Sequence, residues 1–335
     1  MNKTIKKIAI LTSGGDAPGM NACIRAITIA AQANNIEVIG FENGYNGLLA
    51  NTWRHLDQNA VKQLIGMGGT LLKSARCAQF KSVACAQKAA QILDDHHIDA
   101  LFVIGGDGSF RGALHLADHW QGQILGLPGT IDNDLDGTDA TIGYYTAMDT
   151  ALDAIDKIRD TADAFERIFV VEVMGRHCGC LTLNVGIASG AEQIVCHEFY
   201  PNGQVSFEHI ASHVKHAINN HHDSSYIIVL MENLWPGGAV ALAEQLQQSL
   251  QIDCRPCVLG HIQRGGRPVS SDRILATELG VAAVQAAIKG EHAIMLGQVN
   301  GKINHCPLKQ AILQHKKVDD YLLTIQSEVF DKSPQ

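Results

Sequence analysis

Short runs of consecutive apolar residues recur along this 335-residue chain. Each is followed by a glycine-rich or polar loop and then by apolar residues at helical spacing. Lys7-Ile8-Ala9-Ile10-Leu11 leads through Thr12-Ser13-Gly14-Gly15-Asp16-Ala17-Pro18-Gly19 to a helix predicted from about Met20. Ala100–Ile104 leads through Gly105-Gly106-Asp107-Gly108-Ser109 to a helix running through Leu116, and Ile124–Leu127 leads through an acidic loop to a long helix from Ile142 to about Asp160. Ile168–Val173, Tyr226–Met231 and Pro256–Gly260 open three more such units, with helices expected after Gly179, from about Gly238 and from Ser271. Continuous apolar strands alternating with helices predict parallel sheets covered on both faces. Right-handed crossovers bring all the strand-to-helix loops to one edge of their sheet, where ligands of such folds bind. Six units exceed one comfortable sheet, so the pattern predicts two lobes.

Composition narrows the class. An apolar fraction of 46% and a charged fraction of 18% are those of an ordinary globular protein. No apolar run reaches the ~18 residues that a spanning helix needs. The segment Met1–Lys7 leads into a strand rather than a signal-peptide core, so a cytoplasmic location without membrane contact is expected. A formal charge of −8 argues against a general nucleic-acid binder. Nine scattered cysteines do not read as a disulfide framework. Cys254-Arg255-Pro256-Cys257 has dithiol spacing but no second pair to join it. Among sixteen histidines no His-Glu-x-x-His occurs, and His96-His97 and His221-His222 read as solvated loop positions.

Every unusual cluster falls in a strand-to-helix loop. Pro128-Gly129-Thr130-Ile131-Asp132-Asn133-Asp134-Leu135-Asp136 carries three acids in five residues, as a solvated turn would, or as a site where one acid takes a proton beside a partner would. Gly14-Gly15 offers backbone N–H groups and a helix N-terminus to an anion, or is a tight turn. Neither a Walker A motif nor a dinucleotide fingerprint is present. Asp107, flanked by glycines, suits Mg²⁺ on phosphate oxygens or the cap of the next helix. Arg76, Arg167, Arg176, Arg255 and Arg264, with His261, are phosphate donors or surface residues, and Glu232 suits a sugar hydroxyl or an ion pair. Acids, a metal carboxylate, glycine cradles and Arg donors together form the inventory of phosphoryl transfer.

Thr12–Asn21, Gly105–Ser109, Pro128–Asp134, Met174-Gly175-Arg176 and Leu259–Gly266 closely resemble bacterial ATP-dependent 6-phosphofructokinases, in that family's order and spacing from about residue 5 to 320. The resemblance implies two lobes of mainly parallel sheet flanked by helices, an ATP-binding lobe of residues 1–142 with 262–312 and a sugar-phosphate and regulatory lobe of residues 143–261 with 313–335. It implies transfer from Mg-ATP to the 1-hydroxyl of fructose 6-phosphate, in glycolysis. Asp132 would be the base and Asp134 its support; Asp107 would handle Mg²⁺. Gly15, Arg76 and Thr130 would stabilise the transferring group, with Arg176 beside them. Tyr45, Cys77, Gly106, Gly108, Ser109 and Gly112 would line the ATP site. Ile131, Met174, Gly175, Arg176, Glu232, His261 and Arg264 would hold the sugar phosphate. Arg167 and Arg255 would serve a neighbouring chain of a homotetramer.

Diphosphate-using relatives carry an acid at the position of Gly108 and a Lys at that of Gly129, so two small residues here favour ATP. A diphosphate-dependent enzyme and a catalytically silent nucleotide sensor on the same fold are the alternatives. The sequence departs from the family at Cys77, where an aromatic residue is usual, and at Lys81, where an Arg contact is expected. Arg25, Arg159, Gly190 and Glu192 match the family's effector site. Ile29 and Gln58 replace Arg, and His221-His222-Asp223-Ser224 replaces a basic run, which implies weak or absent activation by ADP and weak inhibition by phosphoenolpyruvate.

Overall fold

The computed structural model describes residues 5–165, 167–200, 205–221, 225–313 and 316–325. In chain order its strands are β1 (Lys7–Ser13), β2 (Glu37–Phe41), β3 (Trp53–His55), β4 (Ala100–Gly105), β5 (Gln123–Pro128), β6 (Ile168–Val173), β7 (Gln193–Val195), β8 (Tyr226–Met231), β9 (Cys254–Val258), β10 (Ile294–Val299) and β11 (Lys302–Pro307). They form a seven-stranded sheet in the order β11-β10-β5-β4-β1-β2-β3 and a four-stranded sheet in the order β7-β8-β6-β9. The apolar runs account for the central strands: β4 and β8 are buried at every position. The second sheet is parallel throughout. The first is parallel except at its two edges, where β3 and β11 run antiparallel to β2 and β10. The sheets are thus mainly parallel as expected, and the two antiparallel edge strands, mostly exposed, carry no continuous apolar signal.

The chain divides into two compact units, residues 1–146 with 264–315 and residues 147–263 with 316–335. Near each division a buried side chain ties together segments of its own unit. Asp272, fully buried, accepts hydrogen bonds from the backbone N–H groups of Gly143 (2.9 Å) and Thr146 (2.7 Å) and from the Thr146 hydroxyl (2.5 Å). It thereby caps the start of the helix Tyr144–Phe165, where that start still belongs to the first unit. Gln263, equally buried, accepts from Met174 N at 2.9 Å and donates to Ala147 O at 3.4 Å, within the second unit.

Helix starts fall close to expectation at Met20, Gly238 and Ser270. The helix after β4 begins at Asp107 rather than beyond Ser109, since Gly106 is its N-cap and Asp107 its first-turn acid. The helix after β5 begins at Tyr144, where Asp272 supplies the cap. None of the nine cysteines forms a disulfide. Cys254 and Cys257 share a strand three residues apart, which turns their side chains to opposite faces. Burial pushes the Cys254 thiol up to about 12, so neither spacing nor acidity suits a dithiol.

Candidate functional site

In the first unit three loops leave the carboxyl ends of adjacent parallel strands β5, β4 and β1. Short contacts lock them together. The Ser109 hydroxyl donates to Ser13 O at 3.0 Å, and a Cβ on Gly105 would lie 2.4 Å from that hydroxyl oxygen, so only glycine fits the strand end. Gly129 N donates to Gly105 O at 3.0 Å, joining the second and third loops. The Thr130 side chain stands about one van der Waals contact from Gly106. A fourth segment, residues 67–76, clamps the first loop. The Ser74 hydroxyl donates to Gly14 O at 2.8 Å and the Thr12 hydroxyl to Lys73 O at 2.7 Å. Asn21, 2% exposed, accepts from Leu71 N and donates to Met67 O and Gly68 O. Asn21 is a structural residue that sequence reasoning saw only as part of a motif.

The acidic loop is not a solvated turn. Thr130, Asp132 and Asn133 are buried, and Asp134 is half-buried. Asp132 N donates to the Thr130 hydroxyl at 3.2 Å, and the Thr141 hydroxyl donates to Thr130 O at 2.6 Å. Asn133 takes a left-handed conformation (φ 51°), which turns the chain between the two acids. Asp136 accepts from the N–H of its neighbour Gly137, and its own N–H donates to Ala311 O at 3.3 Å, so it serves the packing of the turn. The guanidinium of Arg264 reaches across this loop. Its Nη2 lies 3.9 Å from Asp132 Oδ1, its Nη1 donates to Asp16 O at 3.2 Å, and a Cβ on Gly15 would stand 2.6 Å from Nη1. Gly15 therefore admits Arg264 against the first loop, and Arg264 ties that loop to the acid.

Several residues expected to line the ATP site are packed against the protein itself. Tyr45 does not line open space: it is 3% exposed, its hydroxyl donates to Ser109 O at 2.7 Å, and its ring stacks on Phe80 at 4.1 Å. Gly112 is small because the Tyr45 ring would meet its Cβ at 2.9 Å. Ser109 and Ile131 have buried side chains, so any ligand reaches them through the backbone. Gly129 leaves no room for a nucleotide, since a Cβ there would lie 2.8 Å from Ile104 Cγ2 and 3.1 Å from Met20 Cε. Gly108 does leave room: nothing stands within 4 Å of its Cβ direction. Asp107 opens its helix with Arg111 at 3.7 Å, and Arg76 is exposed. Cys77 is partly buried against the apolar core of the first unit, and Lys81 is exposed. Among the described residues no three His, Cys, Asp or Glu side chains gather to hold a metal ion.

The second unit assembles its own cluster at the carboxyl ends of β6 and β8. Glu232 Oε1 accepts from Gly175 N (3.1 Å) and Arg176 N (2.8 Å). Gly175 (φ 145°) and Arg176 (φ 61°) both take positive φ there, and the Arg176 and His261 side chains are exposed. Met174 is held from behind by Gln263. Asp253, which the sequence reading passed over, bridges two arginines: its Oδ2 pairs with Arg167 Nε at 2.6 Å and its Oδ1 with Arg255 Nε at 2.7 Å. Arg167 also lies 4.4 Å over the Phe165 ring. The signal for Asp253 was present, an acid two positions before Arg255 on the same face of the chain. Arg159 pairs with Glu192 at 2.8 Å and donates to Gly190 O, and Glu192 also accepts from Ile227 N. Arg25 belongs to the first unit. His222, Asp223 and Ser224 lie outside the described residues.

Glycine loops and a buried acidic turn at the ends of adjacent parallel strands are the layout of an α/β phosphotransferase. The chain belongs to the phosphofructokinase family, whose sequence profile, described as Phosphofructokinase, matches residues 7–287. It is 46% identical over 321 residues to a Thermus thermophilus protein named ATP-dependent 6-phosphofructokinase 1, covering 96% of this chain and 98% of that one. It is 45% identical to ATP-dependent 6-phosphofructokinase 2 of Bacteroides thetaiotaomicron, over 97% of this chain and 99% of that one. Its fold matches phosphofructokinase from Saccharomyces cerevisiae with a TM-score of 0.83 at 33% identity, over 98% of this chain but 47% of the yeast chain. A pyrophosphate-dependent phosphofructokinase from Marinobacter aquaeolei shares the fold, with a TM-score of 0.83 at 24% identity.

Proposed function

We propose that this chain transfers the terminal phosphoryl group of ATP to the 1-hydroxyl of fructose 6-phosphate. The observation that carries the reading is the buried Asp132 carboxylate with the Arg264 guanidinium 3.9 Å away, at the end of a strand beside two glycine loops. Asp132 takes the proton of the attacking hydroxyl, and Arg264 keeps the loop registered against Gly15 and Asp16. Thr130 fixes the turn that aims Asp132, and Asp134 follows on the far side of the left-handed Asn133. Gly15, Arg76 and the backbone around Gly106 and Gly108 receive the phosphates. Asp107 suits Mg²⁺, which ordinarily takes one or two protein carboxylates and completes its shell with phosphate oxygens and water. An ion held by Asp107 would supply positive charge to offset the negative charge of the phosphates. In the second unit Met174, Gly175, Arg176, Glu232 and His261 are assigned to the sugar phosphate. The Glu232 carboxylate orders the Gly175-Arg176 backbone for that task. Arg167 and Arg255 present their outer guanidinium nitrogens to the sugar phosphate of a neighbouring copy in a homotetramer.

The open space at Gly108 supports ATP over diphosphate, because an acid at that point of the helix would meet the nucleotide side of the phosphates. Names of the two bacterial relatives point the same way. No helix among the described residues is long and apolar enough to cross a membrane, in keeping with a cytoplasmic enzyme. A coupled assay with fructose 6-phosphate, run in parallel with ATP and with diphosphate, tests the reading. Turnover with diphosphate alone, or with neither donor, would overturn it.

A further inference from the structure

We propose that His209 and His213 form a binding site for a divalent late-transition-metal ion, of the class of Ni²⁺, Zn²⁺ or Cu²⁺, held by two imidazoles on the helix Phe207–His221. Neither residue belongs to the phosphoryl-transfer machinery, and the site stands independently of that reading. The pair is spaced i, i+4, so both rings leave one face of the helix a single turn apart. Their Nε2 atoms lie 3.2 Å from each other, with ring centroids at 4.5 Å and planes tilted by 56°. Two nitrogens that ligate one ion with bonds of ~2.0–2.1 Å stand about 3.0 Å apart at a right angle and about 3.4 Å apart at a tetrahedral angle. The observed separation falls between these values, so the rings need little movement to take an ion in common.

The surroundings support the same arrangement. His213 is 9% exposed, and the helix beneath is fixed by Ile210 and Val214, both fully buried in the core of the second unit. His209 is exposed and gives an ion access from solvent. The Tyr200 hydroxyl lies 3.3 Å from His209 Nδ1. A ligating imidazole characteristically donates its second N–H to an oxygen partner, and Tyr200 fills that place. In the metal-free chain one Nε2 carries a proton and donates to the other. When an ion binds, whichever ring carried the shared proton on Nε2 shifts it to its own Nδ1, so both Nε2 atoms present lone pairs, both rings stay neutral, and Nδ1–H of His209 faces Tyr200. Two imidazoles and water suit late first-row ions and are a poor match for Mg²⁺, which prefers oxygen ligands. The site would therefore remain selective in a buffer that contains the magnesium needed for kinase assays.

Isothermal titration of the metal-stripped full chain with Ni²⁺ tests this, alongside thermal unfolding with and without the ion. The wild type is expected to show a saturable site and a nickel-dependent rise in Tm that millimolar Mg²⁺ does not reproduce. His209→Ala, at an exposed position, is expected to weaken that site at least about tenfold and abolish the rise. Lys215→Ala and His216→Ala are expected to leave both unchanged. Absence of a saturable nickel site in the wild type, or a His209→Ala chain that keeps wild-type affinity and thermal shift, would overturn the proposal. Loss of the site in His216→Ala as well would overturn the two-ligand form of it.

Discussion

Arg264 Nη2 lies 3.9 Å from Asp132 Oδ1, with both side chains largely withdrawn from solvent. The guanidinium also holds the first glycine loop through Asp16 O, so it keeps the acid in register with the place where the proposed reaction needs a base. Asp132→Ala should lower kcat by about 10²–10⁴-fold while leaving the circular dichroism spectrum and Tm near those of the wild type. A kcat within a few-fold of wild type would remove Asp132 from the role.

The two glycines that sequence reasoning treated alike should behave differently. Gly129→Ala forces a methyl group against Ile104 and Met20 and should cost about 1–3 kcal/mol of stability. Gly108→Ala enters open space in the first turn of a helix and should leave Tm unchanged or raise it. Gly108→Asp should raise the KM for ATP with little effect on Tm. Equal thermal shifts for the two alanine variants would contradict this distinction.

Asp253 orients two guanidinium groups through their Nε atoms. Asp253→Ala should raise the KM for fructose 6-phosphate about five- to thirtyfold with kcat little changed, as expected when a binding contact common to ground and transition states is lost. Steady-state kinetics separate this from a general loss of activity, in which kcat would fall as well.

Arg159 and Glu192 neutralise each other, and Ile29 and Gln58 stand where effector-binding relatives are expected to carry Arg. Saturation curves for fructose 6-phosphate should therefore be close to hyperbolic and shift little with ADP or phosphoenolpyruvate. Strong sigmoidality relieved by ADP would show a functional effector site.

Burial raises the carboxyl of Asp272 above its ordinary value, outweighing the hydrogen bonds from Thr146 and Gly143 that lower it. Because the folded value is the higher one, the stability this group contributes is fully present below the unfolded value near 3.8 and is lost as pH rises through the folded value. Urea unfolding of the wild type and Asp272→Asn should thus show the wild type's relative advantage shrinking as pH rises from about 4 to 7. A widening gap would mean that the hydrogen bonds dominate.

The sequence by itself determined the central strands and the class of site. Runs such as Ala100–Ile104 and Tyr226–Met231 are apolar at every position, which only a strand covered on both faces accommodates, and the glycines and acids following them fell at strand ends as expected. It did not determine the antiparallel edge pairs β2–β3 and β10–β11, where exposed outer strands lack that signal. Tertiary structure alone decided which polar residues work as supports. Asn21, Gln263 and Asp272 carry no local signature, because their partners lie elsewhere in the chain and only burial makes their hydrogen bonds matter. The same holds for Gly129 and Gly112, whose small size is set by Ile104, Met20 and Tyr45 rather than by a ligand. A glycine in a loop reads as conformational freedom or ligand room until its neighbours are placed, and here packing against side chains distant in sequence settles the matter.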